Sequence, residues 1–120
     1  MLTFDAKTLS TLRAAHEVAI HTEKHPGTAV AIWIVVADDK VFVRSARGAA
    51  GRWYKDLLAD RRATLDVAGR QLAVQAIPAN DPDSLAQASQ AYVGKYDPSP
   101  YTQSVLTPEV VVTTLRLDPR

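Results

Sequence analysis

The chain has 120 residues, 47% hydrophobic and 22% charged, with no cysteine; that is enough for one buried core, too little for two, and it excludes disulfides and thiolate chemistry. Fourteen basic against thirteen acidic residues leave a formal charge of +1, which excludes a global field for nucleic acid or an anionic membrane. The longest apolar run, residues 29–37, is far short of the roughly 20 residues that span a bilayer, and MLTFDAKTLSTLRAAHE has no continuous apolar signal core, so a single cytoplasmic domain over residues 1–120 is expected.

Asp5 is placed to cap a first helix, with Phe4 and Leu9 as its hydrophobic staple and Leu9, Leu12 and Ala15 at helical spacing, ending near His16 or Glu17. A weak strand over residues 18–21 leads to EKHPG, a turn. TAVAIWIVVA (28–37) is too short for a confident helix and rich in β-branched residues, so it reads as one strand covered on both faces. Asp38 and Asp39 connect it tightly to VFVRS (41–45), a hairpin. A short helix follows from Arg52, carrying Trp53, Tyr54, Leu57 and Leu58.

Residues 63–67 and 70–77 flank Ala68 and Gly69 as a second hairpin, in which Leu72, Val74 and Ala76 alternate with smaller or polar neighbours. NDPDSLAQASQAYVGKY opens with a capping aspartate and Pro82, then lines Leu85, Ala88, Tyr92 and Tyr96 on one face as the longest helix. After a proline-punctuated loop, EVVVTTLRL (109–117) reads as a last strand. Six short, mostly hairpin-connected strands with segregated helices give an α+β fold whose sheet closes into a barrel to remove its edges.

The chemistry concentrates in VFVRSARGAAGRWYKDL (41–57). A strand delivers Arg44 and Ser45 to its end, glycines let the backbone approach a ligand, and a helix begins beside the same loop with its positive dipole end. That suits a phosphate, with Arg47, Arg52 and Lys55 adding charge and Trp53 or Tyr54 a flat apolar wall. The same spacing also fits a helix anchored on the core by its aromatics with the arginines solvated. There is no GK[ST] ending and no G-x-S-x-G elbow, so neither a nucleotide-hydrolysing loop nor a serine nucleophile is implied. His21 and His25 have i,i+4 spacing, but Pro26 and Gly27 end any helix there and no carboxylate pair completes a zinc set, so no metal is expected. Tyr92, Lys95 and Tyr96 cluster at the end of the long helix, where Lys95 complements the dipole.

In order along the chain, VFVRS (41–45), the glycine-bearing loop, WY (53 and 54), the AG hairpin (68 and 69), AYVGKY (91–96) and TLRLDPR (114–120) resemble the domain-of-unknown-function family 2255, over nearly the whole chain. That family looks like a relative of the flavin-binding split barrels, which include pyridoxamine-phosphate oxidases and deazaflavin-dependent nitroreductases. The resemblance implies a six-stranded antiparallel split β-barrel with flanking helices, FMN or a deazaflavin as cofactor, oxidoreductase activity carried by that cofactor, and a homodimer in which one face of residues 29–37 meets a partner.

Ser45, Gly48, Trp53, Tyr54 and Leu57 stand where the deazaflavin group borders its cofactor phosphate. With Arg47 and Arg52 added from the residue reading, the expected cofactor-binding set is Ser45, Arg47, Gly48, Arg52, Trp53 and Tyr54. Two departures stand out: the basic segment between the first strands is reduced to HTEKHPGTA, with Lys24 as its lone cation, and Arg52 replaces the proline that commonly precedes the tryptophan. A barrel that keeps this shape without a flavin, as a dimeric binding or scaffold protein or a receptor for another small anion, is the alternative.

Overall fold

The computed structural model describes residues 3–120. Helix α1 (Ala6–Ala14) starts where Asp5 accepts a hydrogen bond from the Thr8 amide, and both Phe4 and Leu9 are buried in the same cluster. It stops two residues before His16. Strand β1 (Val18–Thr22) buries alternate residues, as a sheet with one face in the core requires.

Residues 28–37, expected as one strand, form two: β2 (Val30–Ile32) and β3 (Val35–Ala37). With β4 (Lys40–Val43), β5 (Arg62–Val67), β6 (Arg70–Pro78) and β7 (Leu115–Pro119), the described sheet has seven strands rather than six, in the order β2-β1-β5-β6-β7-β4-β3, every pairing antiparallel. Strands β2 and β3 lie at opposite edges of that sheet yet are separated only by Trp33 and Ile34. So short a link brings the two edges together, and the sheet curls into a half-barrel. The break costs the ladder the polar groups of Ile34, and helix α3 (Pro82–Tyr96) supplies partners: Tyr96 Oη accepts from the Ile34 amide at 3.1 Å, and Lys95 Nζ donates to the Ile34 carbonyl at 2.7 Å.

The hairpin of β3 with β4 (Lys40–Val43) turns through Asp38 at φ 56. That of β5 (Arg62–Val67) with β6 (Arg70–Pro78) turns through Ala68 at φ 50 and Gly69 at φ 74, the two positive-φ positions of a type I′ turn. Between these hairpins lies α2 (Arg52–Ala59). Helix α3 (Pro82–Tyr96) starts at the Asp81 cap with Pro82 in its first turn.

The segment EVVV is not strand. Pro108 at the first position starts a single helical turn, α4 (Pro108–Val111), and the Thr113 and Thr114 hydroxyls then donate to the Val110 and Val111 carbonyls. These local bonds outcompete the β-propensity of the valines, and strand β7 (Leu115–Pro119) begins only afterwards.

Apolar residues fill both faces of the sheet. Val41 and Val43 point into a cluster with Leu12, Ile20, Leu57 and Leu65 inside the curl. Phe42 points the other way, to Ala88, Tyr92 and Tyr96 of α3. Each fully buried side chain of this size contributes about 1.5 to 3 kcal/mol of transfer free energy. No helix among the described residues is long and apolar enough to cross a membrane.

Candidate functional site

Arg44 and Ser45 follow directly on β4 and are both buried. The Arg44 guanidinium is engaged in the scaffold: Nε donates to Thr114 Oγ1, Nη1 to the Val105 carbonyl, and Nη2 to the Leu85 carbonyl and Ser89 Oγ. It also sits 5.3 Å from the Tyr92 ring centre. With no carboxylate among these partners, burial lowers its pKa from the ordinary value. Arg44 ties the end of β4 to α3 and to the turn at Thr102–Val105.

Ser45 closes the loop. Its amide donates to Thr113 Oγ1 and its hydroxyl to the Gly48 carbonyl at 2.8 Å, while the Gly48 amide returns to the Ser45 carbonyl at 2.9 Å. Gly48 takes φ +66 and packs on the Glu109 backbone, and a Cβ at Gly51 would run into Ser45 Oγ. Both glycines are thus required by the turn, Gly48 by conformation and Gly51 by space. The loop hands over to α2 at Gly51, which offers no side-chain cap, and the first turn of α2 holds no acidic residue. Its leading N–H groups are left for whatever lies in front of them.

In front lies a cleft of about 580 Å³, within the range of small-molecule sites. Its lining includes Ser45, Arg47, Gly51, Arg52 and Trp53, residues Val30 to Trp33 at the β2 edge, and Tyr101, Ser104 and Val105. Of the six residues expected to bind a cofactor, Ser45, Arg47, Arg52 and Trp53 line this cleft. Gly48 and Tyr54 do not: Gly48 is buried within the loop and Tyr54 packs against the interior cluster. Arg47 and Arg52 are exposed, whereas Trp53 is 8% exposed and serves as core and wall at once.

Two features of the site were not legible from local sequence. Trp33 also lines the cleft, its ring stacked on Tyr96 at 3.9 Å and 3° between planes, a contact between residues 63 positions apart. Asp56, buried in α2, accepts from Arg52 Nη1 at 3.0 Å, from Thr22 Oγ1 at 2.9 Å, and faces His25 Nδ1 at 2.6 Å. Burial pushes its carboxyl up, but the hydrogen bonds from His25 and Thr22 and the charges of His25 and Arg52 outweigh that and hold it below the usual carboxylate range. Only the i,i+4 spacing of Arg52 and Asp56 hinted at this. His21 is directed elsewhere, to Asp66 Oδ2 and the Pro26 carbonyl. Among the described residues no group of three or more histidine and carboxylate side chains is placed to hold a metal.

The cleft is lined by the start of α2, two exposed guanidinium groups and two indoles, groups whose chemistry suits an anion and a flat apolar surface. Residues 8–117 match the model of a family described as an uncharacterized protein conserved in bacteria, DUF2255. No curated protein matches the sequence significantly.

Three solved structures are similar in fold. The conserved hypothetical protein Rv2991 from Mycobacterium tuberculosis aligns with a TM-score of 0.68 at 14% identity, over 99% of this chain and 82% of that one. A FAD-binding protein from Mesorhizobium loti gives 0.60 at 14% identity, over 98% and 91%. A candidate 5-nitroimidazole antibiotic resistance protein from Bacteroides thetaiotaomicron gives 0.63 at 10% identity, over 99% and 81%.

Proposed function

The chain belongs to the DUF2255 family, and on that premise we propose that it binds a flavin, FMN or a deazaflavin, in the cleft between α2 and the β2 edge, as a small oxidoreductase. The observation that carries this reading is the convergence of Arg47, Arg52 and the uncapped start of α2 on a cleft walled by Trp33 and Trp53. The likeness in fold to a FAD-binding protein supports it.

In this reading Arg47, Arg52 and the first N–H groups of α2 hold the phosphate, and the two indoles give the apolar walls for the ring system. Ser45 and Gly48 act through the loop they close, because the Ser45 proton is already directed at the Gly48 carbonyl. When bound, the cofactor supplies the hydride chemistry, and the protein contributes orientation, electrostatics and exclusion of water. The exposed Ala29 and Ala31, beside buried Ile32 and Ile34, support a homodimer through this segment; light scattering should give twice the chain mass, and a monomer at micromolar concentration refutes it.

One observation favours the second reading, a barrel kept without a flavin: Glu17 adds a negative charge to the cleft wall. The colour of the purified protein and titration with flavins separate the two, since the first reading requires saturable flavin binding and the second requires none.

A further inference from the structure

Arg52 occupies an unusual place for a helical arginine. It is the first residue of α2, where the helix dipole disfavours a cation, and the first turn has no acid to offset it. The helix dipole does not explain it there; its i,i+4 partner Asp56 does. Its side chain is 43% exposed and lines the cleft, while Asp56, one turn further on, is 6% exposed.

Asp56 does not depend on Arg52 alone. Thr22 from the end of β1 and His25 from the β1–β2 loop meet the same carboxylate oxygen, so the acceptor is anchored from two elements before the arginine reaches it. An arginine presents five N–H donors in a rigid fork. Asp56 accepts from Nη1 at 3.0 Å, and Arg52 also lines the cleft.

Resting on the reading of this cleft as a phosphate site, we propose that Asp56 is a positioning residue: it fixes the Arg52 fork over the cleft, with Thr22 and His25 fixing Asp56 in turn, so that the arginine meets the ligand phosphate already oriented. Asp56 thereby gives a half-exposed cation a fixed, buried partner.

The test compares FMN with riboflavin, which lacks the phosphate, by fluorescence titration of the wild type, Asp56→Asn, Arg52→Ala and the double variant. Asp56→Asn keeps the shape of the side chain but gives up its charge. The preference for FMN should fall roughly tenfold in Asp56→Asn, as expected for one weakened charge-assisted contact, with riboflavin affinity unchanged. The double variant should be no worse than Arg52→Ala alone. Equal losses for both ligands, or a further loss in the Arg52→Ala background, overturn the proposal.

If Asp56→Asn does not fold, Arg52→Lys takes its place. It keeps the charge but not the fork, so a wild-type FMN preference in that variant overturns the proposal. A ligand-free measurement separates this proposal from the flavin reading itself. In ¹⁵N NMR the Arg52 Nη1–H signal should be narrow and slowly exchanging in the wild type and lost in Asp56→Asn or at acid pH where the carboxylate is protonated. Absence of flavin binding by the wild type refutes the flavin reading, and an Arg52 signal indifferent to the carboxylate refutes the positioning role whatever the flavin result.

Discussion

Tyr96 stands against the backbone of Ile34, its hydroxyl 3.1 Å from both the amide nitrogen and the carbonyl oxygen. It accepts from the first, and its one proton goes to the second or to the His16 carbonyl at 2.8 Å. The residue at the end of α3 therefore completes the backbone at the point where one strand becomes two.

Tyr96→Phe leaves the Ile34 amide without its partner in a buried place. The expected cost is about 1 to 3 kcal/mol, read as a lower urea midpoint with an unchanged m-value. A midpoint like that of the wild type would show that the break in the strand does not need the hydroxyl.

Lys95 should give stability a recognisable pH dependence. Burial lowers its pKa from 10.5 to about 8, because the Leu12 and Ile34 carbonyls it meets carry no full charge. Between those values the unfolded chain holds more protons than the folded one, so stability rises with pH. Tyr96 acts the other way above its ordinary value of 10.0, since burial raises its pKa to about 12 and the unfolded phenol ionises first. Urea melts should show the wild type gaining stability from pH 8 to 10, and Lys95→Met should be flatter across that window.

The loop before α2 makes a paired prediction. Gly51→Ala sets a methyl group against Ser45 Oγ, an overpacking that costs about 1 to 3 kcal/mol. Ser45→Ala removes the obstructing oxygen while losing the bond to the Gly48 carbonyl. Thermal melts of the two single variants and the double should show the double less destabilised than the sum; strict additivity would mean that the two residues do not share this contact.

Local signals carried much of the fold. The Asp5 and Asp81 caps, Pro82, the Ala68–Gly69 turn and the alternation through Val74 and Ala76 depend on neighbours in sequence, and each took the expected form. The break at Trp33 and Ile34 did not announce itself, because its partners lie in α3, about 60 residues away. The valines of α4 misled for the opposite reason: β-propensity is weak against a proline start and threonines that bond back to the preceding turn. At the site, Arg47, Arg52 and Trp53 were readable as a cluster near one loop. The contribution of Trp33 and the buried Asp56 network were not, since curling of the sheet assembles them.

The most direct test of the account is a titration of the purified protein with FMN and with a deazaflavin, followed by flavin fluorescence and by quenching of Trp33 and Trp53. The expected result is saturable binding that weakens by about 1.5 to 3 kcal/mol in each of Arg47→Ala and Arg52→Ala. No saturable binding of either ligand at high micromolar concentration, or binding indifferent to both arginines, would contradict it.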